Sequence, residues 1–145
     1  MNLPKYQLKA ESSLILFEFV SVGTKGNIPK LIKFSKTHLK DVYNLGFGNK
    51  KPDGEIDDVT VSNNGDTNKV LATVVSAVYA FTDKYPDVWV YATGSTQSRT
   101  RMYRMGITKY FEEARKDFDI YGLLNNEWIE FEKGTEFDAF LIKRK

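Results

Sequence analysis

The chain has 145 residues, of which 41% are hydrophobic and 28% are charged, a composition typical of one soluble domain and unlike a disordered, fibrous or membrane chain. It contains no cysteine, which excludes a disulfide framework, a thiolate metal site and a cysteine nucleophile. The net charge of +2 is too small to indicate nucleic acid or an anionic membrane as a partner. We expect a single globular domain over residues 1–145. We also expect a cytoplasmic location, because no apolar run is long enough to span a bilayer and no secretory signal is recognisable.

The first part of the chain predicts an antiparallel β-meander. Four segments have apolar residues at alternating or nearly alternating positions and are rich in β-branched and aromatic side chains, which is typical of strands. These segments are Ser13–Val20, Lys30–Ser35, Asp41–Phe47 and Glu55–Val61. The short clusters between them contain the Gly, Asn, Asp and Pro residues of turns, so consecutive hairpins are the simplest connection.

The period of the apolar residues becomes helical after the turn at residues 63–66. Apolar side chains between Val70 and Tyr85 recur at the spacing of one helical face. Asp66 stands where its side chain would cap the first turn, and Pro86 marks the end of the helix. This segment therefore predicts a long amphipathic helix.

The last third of the chain predicts a short strand, a second helix and three further strands. The expected bounds are Val88–Ala92 for the short strand, Ser98 to about Ala114 for the helix, and Phe118–Leu124, Glu127–Glu132 and Phe137–Ile142 for the last strands. The last strand is expected to carry Phe137, Ala139 and Leu141 on one face. The chain thus predicts an α+β fold with a mostly antiparallel sheet and two helices, in the order ββββαβαβββ.

The most unusual stretch runs from Gly94 to Arg104, between the predicted short strand and the second helix. Small hydroxyl-bearing residues precede the helix start, where unpaired backbone N–H groups and the positive end of the helix dipole attract anions. We predict an anion-binding site formed by Ser95, Thr96, Ser98 and Arg99. In the structural alternative, the hydroxyls only cap the helix and the arginines form a solvated face with one ion pair.

Arg99 is predicted to face inward on this helix. At about 100° per residue it shares one stripe with Tyr103, Gly106 and Tyr110, whereas Arg101, Arg104 and Thr108 lie on the opposite side. An inward arginine needs an anionic partner. That partner is either a bound phosphate or carboxylate, or an internal Asp57, Asp58 or Asp66.

Other candidates for chemistry are weaker. His38, the only histidine, lies in a turn with no second ligand, so neither a metal site nor a histidine-based triad is predicted. Asp57 and Asp58 alternate across a strand, so at most one of them faces any given site. Aromatic residues on the strands fit packing better than base stacking, and nucleic acid is not an expected partner.

Several short motifs between Tyr43 and Gly122 carry a resemblance to a known family. They are Asn44–Gly48, Glu55–Asp58, Asn63–Asp66 with Lys69–Val74, and Gly94–Thr96 with Arg99–Arg104. On these residues the chain resembles an uncharacterised bacterial family of unknown function. The resemblance covers more than half of the chain and implies a small soluble bacterial domain, with no activity attached.

The predicted order of strands, helix, strand, helix and hairpin is also similar to the core of the Gcn5-related N-acetyltransferases without their first two helices. Tyr103 falls where that family has a Tyr that protonates the departing thiolate of coenzyme A. The resemblance therefore implies acetyl-coenzyme A as the cofactor and Tyr103 as the general acid. Asp66 departs from the family, because it puts negative charge where the pyrophosphate would bind.

These patterns favour a binding or regulatory module over an enzyme. We expect the partner to be a small anionic ligand or an acidic protein, bound at Gly94 to Arg104 without a cofactor. The alternative is an acyl-coenzyme A-dependent N-acyltransferase with a degenerate pyrophosphate loop.

Overall fold

Nine strands in one sheet and three helices make up the part of the chain that the computed structural model describes, residues 4–57 and 63–145. The strands are β1 (Lys9–Ala10), β2 (Leu16–Gly23), β3 (Gly26–Lys36), β4 (Val42–Lys50), β5 (Ile56–Asp57), β6 (Trp89–Ala92), β7 (Phe118–Leu124), β8 (Glu127–Glu130) and β9 (Ala139–Arg144). The helices are α1 (Thr67–Lys84), α2 (Gln97–Lys109) and α3 (Phe111–Asp117). The predicted α+β class is confirmed.

The sheet is mostly antiparallel, as predicted. Its strands lie in the order β1-β2-β3-β4-β6-β9-β7-β8, and β5 pairs with β4 beside this path. Among the described strands, β4 and β6 form the one parallel pair, through residues Val42–Asn44 and Trp89–Tyr91. A parallel connection requires a crossover, which α1 provides.

The first helix packs on one face of the sheet. The ring of Phe81 stacks on that of Phe34 with centroids 4.1 Å apart, and it meets Tyr43 edge-on at 5.2 Å. Burial of such a phenylalanine contributes roughly 1.5–3 kcal/mol to stability. Lys30 and Ile32 lie on the same side of β3 as Phe34 because side chains alternate along a strand, and all three are buried. None of the helices in the described part of the chain is long and apolar enough to cross a membrane.

The numbers of strands and helices differ from the predicted pattern. An additional strand, β1, has two exposed residues and hence no apolar alternation that could reveal it. The predicted strand at Glu55–Val61 is represented by β5, and residues 58–62 lie outside the described part of the chain. β3 begins four residues before its predicted start, because a tight turn at Thr24 and Lys25, with Gly26 at a φ of 88°, extends its pairing with β2. The order is βββββαβααβββ.

The prediction of one helix from Ser98 to Ala114 is wrong, because the segment forms two helices that meet at Tyr110. Tyr110 has φ −106° and ψ 14°, which departs from helical geometry. Its N–H still donates to the Gly106 carbonyl, and its carbonyl accepts from the Ala114 N–H. The bend allows both Tyr110 and Ala114 to be buried, although no proline marks it in the sequence.

The last strand is shifted, so that it contains Ala139 and Leu141 of the three residues predicted to share one face, but not Phe137. It spans Ala139–Arg144, and antiparallel pairing with β6 places Phe140 and Ile142 on the buried face. Leu141 lies on the opposite face and is half-buried, whereas Phe137 is buried but outside the strand. Pairing with the neighbouring strands, rather than local alternation, therefore determines the inward side chains.

Candidate functional site

The turn before α2 forms a hydroxyl N-cap. Thr96 Oγ1 accepts a hydrogen bond from the Arg99 backbone N–H at 3.2 Å, and Thr100 Oγ1 accepts one from the Gly94 N–H at 3.0 Å. A Cβ at Gly94 would overlap the Arg99 Cβ, so glycine permits this close approach of the strand end to the helix. These contacts confirm a capping role for the turn and determine where α2 begins.

The start of α2 determines which of its side chains face inward. The buried stripe consists of Arg99, Tyr103, Gly106 and Tyr110, as predicted. Arg101 is exposed, whereas Arg104 and Thr108 are half-buried. The prediction that Arg99 lies inward and Arg101 outward is confirmed.

Arg99 lines a cavity of about 410 Å³ between β3, β4 and the N-terminal ends of α1 and α2, which we call the basic cavity. Among the described lining residues, Lys30, Arg99 and Arg101 are cationic and Asp66 is anionic. Positive charge therefore predominates on this part of its wall.

Two buried cations share one aromatic ring in the basic cavity. Lys30 is 5% exposed and Arg99 is 7% exposed. Arg99 Cζ lies 4.9 Å and Lys30 Nζ 5.8 Å from the centroid of Phe47, within the range of cation–π attraction. Lys30 Nζ also donates to Asn49 Oδ1 at 2.5 Å. Burial lowers the pKa of Lys30, the charge of Arg99 lowers it further, and the carboxylate of Asp66 partly opposes this.

Asp66 fixes the loop before α1, and its predicted capping role is wrong. Its side chain makes no cap hydrogen bond, because Oδ2 accepts from the hydroxyls of Tyr6 and Ser21, each at 2.5 Å. Burial and the hydrogen bond to Asp66 raise the pKa of Tyr6. The neighbouring Asn64 Nδ2 donates to the Gly26 carbonyl at 2.9 Å. The loop that borders the basic cavity is thus held by Tyr6 near the amino terminus, by Ser21 of β2 and by Gly26 at the beginning of β3.

The four predicted site residues do not line a single cavity. Ser98 and Arg99 line the basic cavity, whereas Ser95 and Thr96 line a separate cavity of about 410 Å³ on the other side of the turn. That second cavity also contains Glu136, which pairs with an arginine of α2 at 3.5 Å. Only half of the predicted site therefore lies beside the buried cations.

Lys30 was not among the predicted site residues, although the sequence contains a signal for it. It occupies the same alternating positions as Ile32 and Phe34, which are apolar and face the core. A lysine on the apolar side of a strand is a candidate for a buried charge. Its proximity to Arg99 depends on the packing of β3 against α2 and is not a local property of the sequence.

A model of a family of unknown function (DUF6934) matches residues 2–145. The chain belongs to this family. The match confirms the predicted resemblance to a family of unknown function, and it extends over nearly the whole chain. No curated protein and no solved structure shows significant similarity to the chain.

In this member of DUF6934, Tyr103 is buried and lines a mainly apolar cavity between α1 and α2. Asp66 adds negative charge beside the first turn of α1. The acyltransferase alternative, with Tyr103 as general acid and acetyl-coenzyme A as cofactor, stays a prediction.

The histidine and the carboxylates form no metal centre within residues 4–57 and 63–145. His38 is exposed in the turn before β4. No group of three or more His, Asp or Glu side chains in these ranges is arranged to hold a metal ion. The basic cavity is therefore the best-supported candidate site.

Proposed function

We propose that the protein is a binding module for a small anionic ligand, a phosphate or a carboxylate, held in the basic cavity by Lys30 and Arg99. The supporting observation is the pair of buried cations near the Phe47 ring, which line one cavity of about 410 Å³. Two cationic side chains on the wall of one cavity create a positive potential that attracts an anion. One anion in this cavity would interact favourably with both cations.

The side chains of the basic cavity define the chemistry of the ligand. The Arg99 guanidinium can donate two parallel hydrogen bonds to a phosphate or carboxylate, and the Lys30 ammonium adds a compact charge. Ser98, at the beginning of α2, contributes a hydroxyl near the positive end of the helix. Asp66 lines the same cavity and would repel a polyanion. We therefore expect a ligand with one anionic group rather than a pyrophosphate.

Titration with inorganic phosphate and with acetate tests the proposal, because these ions represent the two ligand classes. Calorimetry measures the dissociation constant, and thermal unfolding measures the stabilisation. A ligand at 100 times its dissociation constant should raise the free energy of unfolding by about 2.7 kcal/mol. Acetyl-coenzyme A is the third ligand, because the acyltransferase alternative requires it, and stabilisation by this ligand alone would favour that alternative.

Lys30→Met and Lys33→Met form a matched pair for the same titrations. Both residues lie on β3, but Lys30 is buried in the basic cavity, whereas Lys33 is exposed. We expect Lys30→Met to weaken anion binding by roughly 30-fold or more, and Lys33→Met to leave it unchanged. Circular dichroism verifies that both variants are folded. An equal loss in the two variants, or no binding of either anion by the wild-type protein, contradicts the proposal.

A further inference from the structure

The basic cavity carries negative charge as well as positive charge. Lys30 comes from β3 and Arg99 from the first turn of α2, whereas Asp66 directly precedes α1. Among the described lining residues, Asp66 is the only carboxylate. Besides the burial that lowers the pKa of Lys30, the charge of Arg99 lowers it and the charge of Asp66 raises it. The three charged groups are therefore close enough to act on one bound molecule.

Two hydroxyls hold the Asp66 carboxylate in place through one of its oxygens, Oδ2. Tyr6 and Ser21 donate to this oxygen at 2.5 Å, whereas the Val22 carbonyl oxygen lies farther from the Tyr6 hydroxyl, at 3.2 Å. Tyr6 Oη also accepts from the Val22 N–H at 2.9 Å, and Ser21 Oγ accepts from Asn64 Nδ2 at 3.1 Å. Because other groups donate to both hydroxyl oxygens, the hydroxyl protons are directed toward Asp66. The carboxylate is thus held in position before any ligand binds.

The other oxygen of Asp66, Oδ1, is available to a ligand. A carboxylate can accept about four hydrogen bonds, and the two hydroxyls use only Oδ2. Within residues 4–57 and 63–145, no donor reaches Oδ1 and no cation pairs with this carboxylate. Asp66 is half-buried and Oδ1 is not a buried atom, so a molecule in the basic cavity can reach it. A positively charged donor is the group that binds such an oxygen most strongly.

Apolar side chains also line the basic cavity. They are Phe47, Val70, Met102 and Met105. Burial of a short aliphatic chain against them is favourable. The volume of about 410 Å³ lies within the range of roughly 300–1,000 Å³ for pockets that hold small molecules. A ligand with two opposite charges joined by an aliphatic chain therefore matches the chemistry of the wall.

We propose that the ligand of the basic cavity is an aliphatic amino acid, whose carboxylate is bound by Lys30 and Arg99 and whose ammonium group is bound by Asp66 Oδ1. A carboxylate carries a single charge, so Asp66 repels it less than it repels a phosphate dianion. The ammonium group adds an attraction to Asp66 that a simple anion lacks. This inference rests on the proposed function, anion binding by Lys30 and Arg99, and adds the second charged group of the ligand.

Calorimetry with matched pairs of ligands tests the inference on the wild-type protein. Each pair consists of an amino acid and the carboxylic acid of the same chain length without the amino group: glycine and acetate, β-alanine and propionate, γ-aminobutyrate and butyrate, δ-aminovalerate and valerate. The series varies the distance between the two charges, and we expect the amino group to strengthen binding about 10-fold or more at one chain length at least.

The outcomes of this series separate the inference from the proposed function. If every amino acid binds no more tightly than its partner without the amino group, while a carboxylate or inorganic phosphate still binds, the inference is overturned and anion binding stands. If none of these carboxylates, amino acids or phosphate binds, both are overturned.

Asp66→Asn and Asp87→Asn form a matched pair for the same ligands. Both remove one negative charge, but Asp87 is exposed and does not line the basic cavity. An amide oxygen at position 66 can still accept from the hydroxyls of Tyr6 and Ser21. We expect Asp66→Asn to abolish the advantage of the amino group and to leave binding of the simple carboxylates unchanged or tighter, whereas Asp87→Asn should keep the advantage.

Circular dichroism verifies that both variants are folded, and the wild-type comparison does not depend on their folding. An advantage of the amino group that persists in folded Asp66→Asn would place the ammonium group elsewhere and would overturn the inference.

Discussion

The basic cavity and the mainly apolar cavity of about 70 Å³ between α1 and α2, which we call the helix cavity, lie against the same two helices but have opposite chemistry. Met102 lines both of them. In the described part of the chain, the basic cavity has three cations and one carboxylate on its wall, whereas the helix cavity has no charged side chain. The buried stripe of α2 extends from Arg99 at the first cavity to Tyr110 at the second. One helical face thus supplies a charged site at its beginning and an apolar site at its end.

The difference follows from what each end of the stripe meets. Near Arg99, the Asp66 carboxylate and the Asn49 amide oxygen, which accepts from Lys30, make buried positive charge tolerable. Near Tyr110, the stripe meets the interior of α1, where backbone groups bond within the helix and apolar side chains such as Leu71 pack against it. We infer that charge at the second end would be unfavourable.

The largest expected effect separates Arg99 from Arg101. Arg99→Ala should lower the free energy of unfolding by about 2–5 kcal/mol, because truncation of a buried side chain removes its packing and its cation–π contact with Phe47 and leaves a cavity. Arg101→Ala, at an exposed position, should change it by less than about 0.5 kcal/mol. Urea unfolding measures both. Equal losses would mean that the polar end of the stripe contributes no more to stability than its solvent side.

A smaller effect is expected at Gly94, which lies against the beginning of α2 and so helps to determine which side chains of that helix face inward. Gly94→Ala should cost about 1–3 kcal/mol, because its Cβ would overlap Arg99 and the variant must shift the beginning of α2. Gly46→Ala is the control, since a Cβ there would meet its neighbours at 3.6 Å or more, an ordinary contact. Thermal unfolding should show a clear loss for the first variant and less than about 0.5 kcal/mol for the second. A change of similar size in both would contradict a special role for Gly94.

The two ends of the stripe also differ in how far the sequence predicts them. The inward position of Arg99 was predictable because helical phase is local and the N-cap at Thr96 marks where counting begins. The break at Tyr110 was not, because no proline signals it and the burial of Ala114 depends on tertiary packing. Similarly, Asp66 accepts hydrogen bonds from the hydroxyls of Tyr6 and Ser21, which are 60 and 45 residues away from it in the chain. Such contacts leave no local signal.

The pH dependence of the free energy of unfolding tests the Arg99 end of the stripe, where Lys30 is also buried. The pKa of Lys30 in the folded protein is lowered from 10.5, so between the lowered value and 10.5 the unfolded chain binds more protons than the folded protein. The free energy of unfolding contributed by this group therefore rises with pH in that window. Lys30→Met should flatten this rise in the alkaline range below pH 10.5, whereas Lys33→Met should retain it. Denaturant titrations at several pH values measure the slope, and an unchanged slope in Lys30→Met would contradict the assignment.

The smallest expected effect tests the apolar end. Tyr110→Phe removes a buried hydroxyl that has no partner among the described residues, so it should leave the free energy of unfolding unchanged or raise it by up to about 1 kcal/mol. Tyr79→Phe is the control, because it removes a hydroxyl that donates to Asp117 at 2.7 Å and should lower that free energy. Above pH 10 a second effect is expected for Tyr79. Burial, together with Asp117, raises its pKa, so wild-type stability falls as the pH rises past the unfolded value of 10.0, and Tyr79→Phe should weaken that fall. Urea unfolding at pH 7 and pH 11 measures both effects. A loss of stability in Tyr110→Phe as large as that in Tyr79→Phe would mean that the Tyr110 hydroxyl already has a partner.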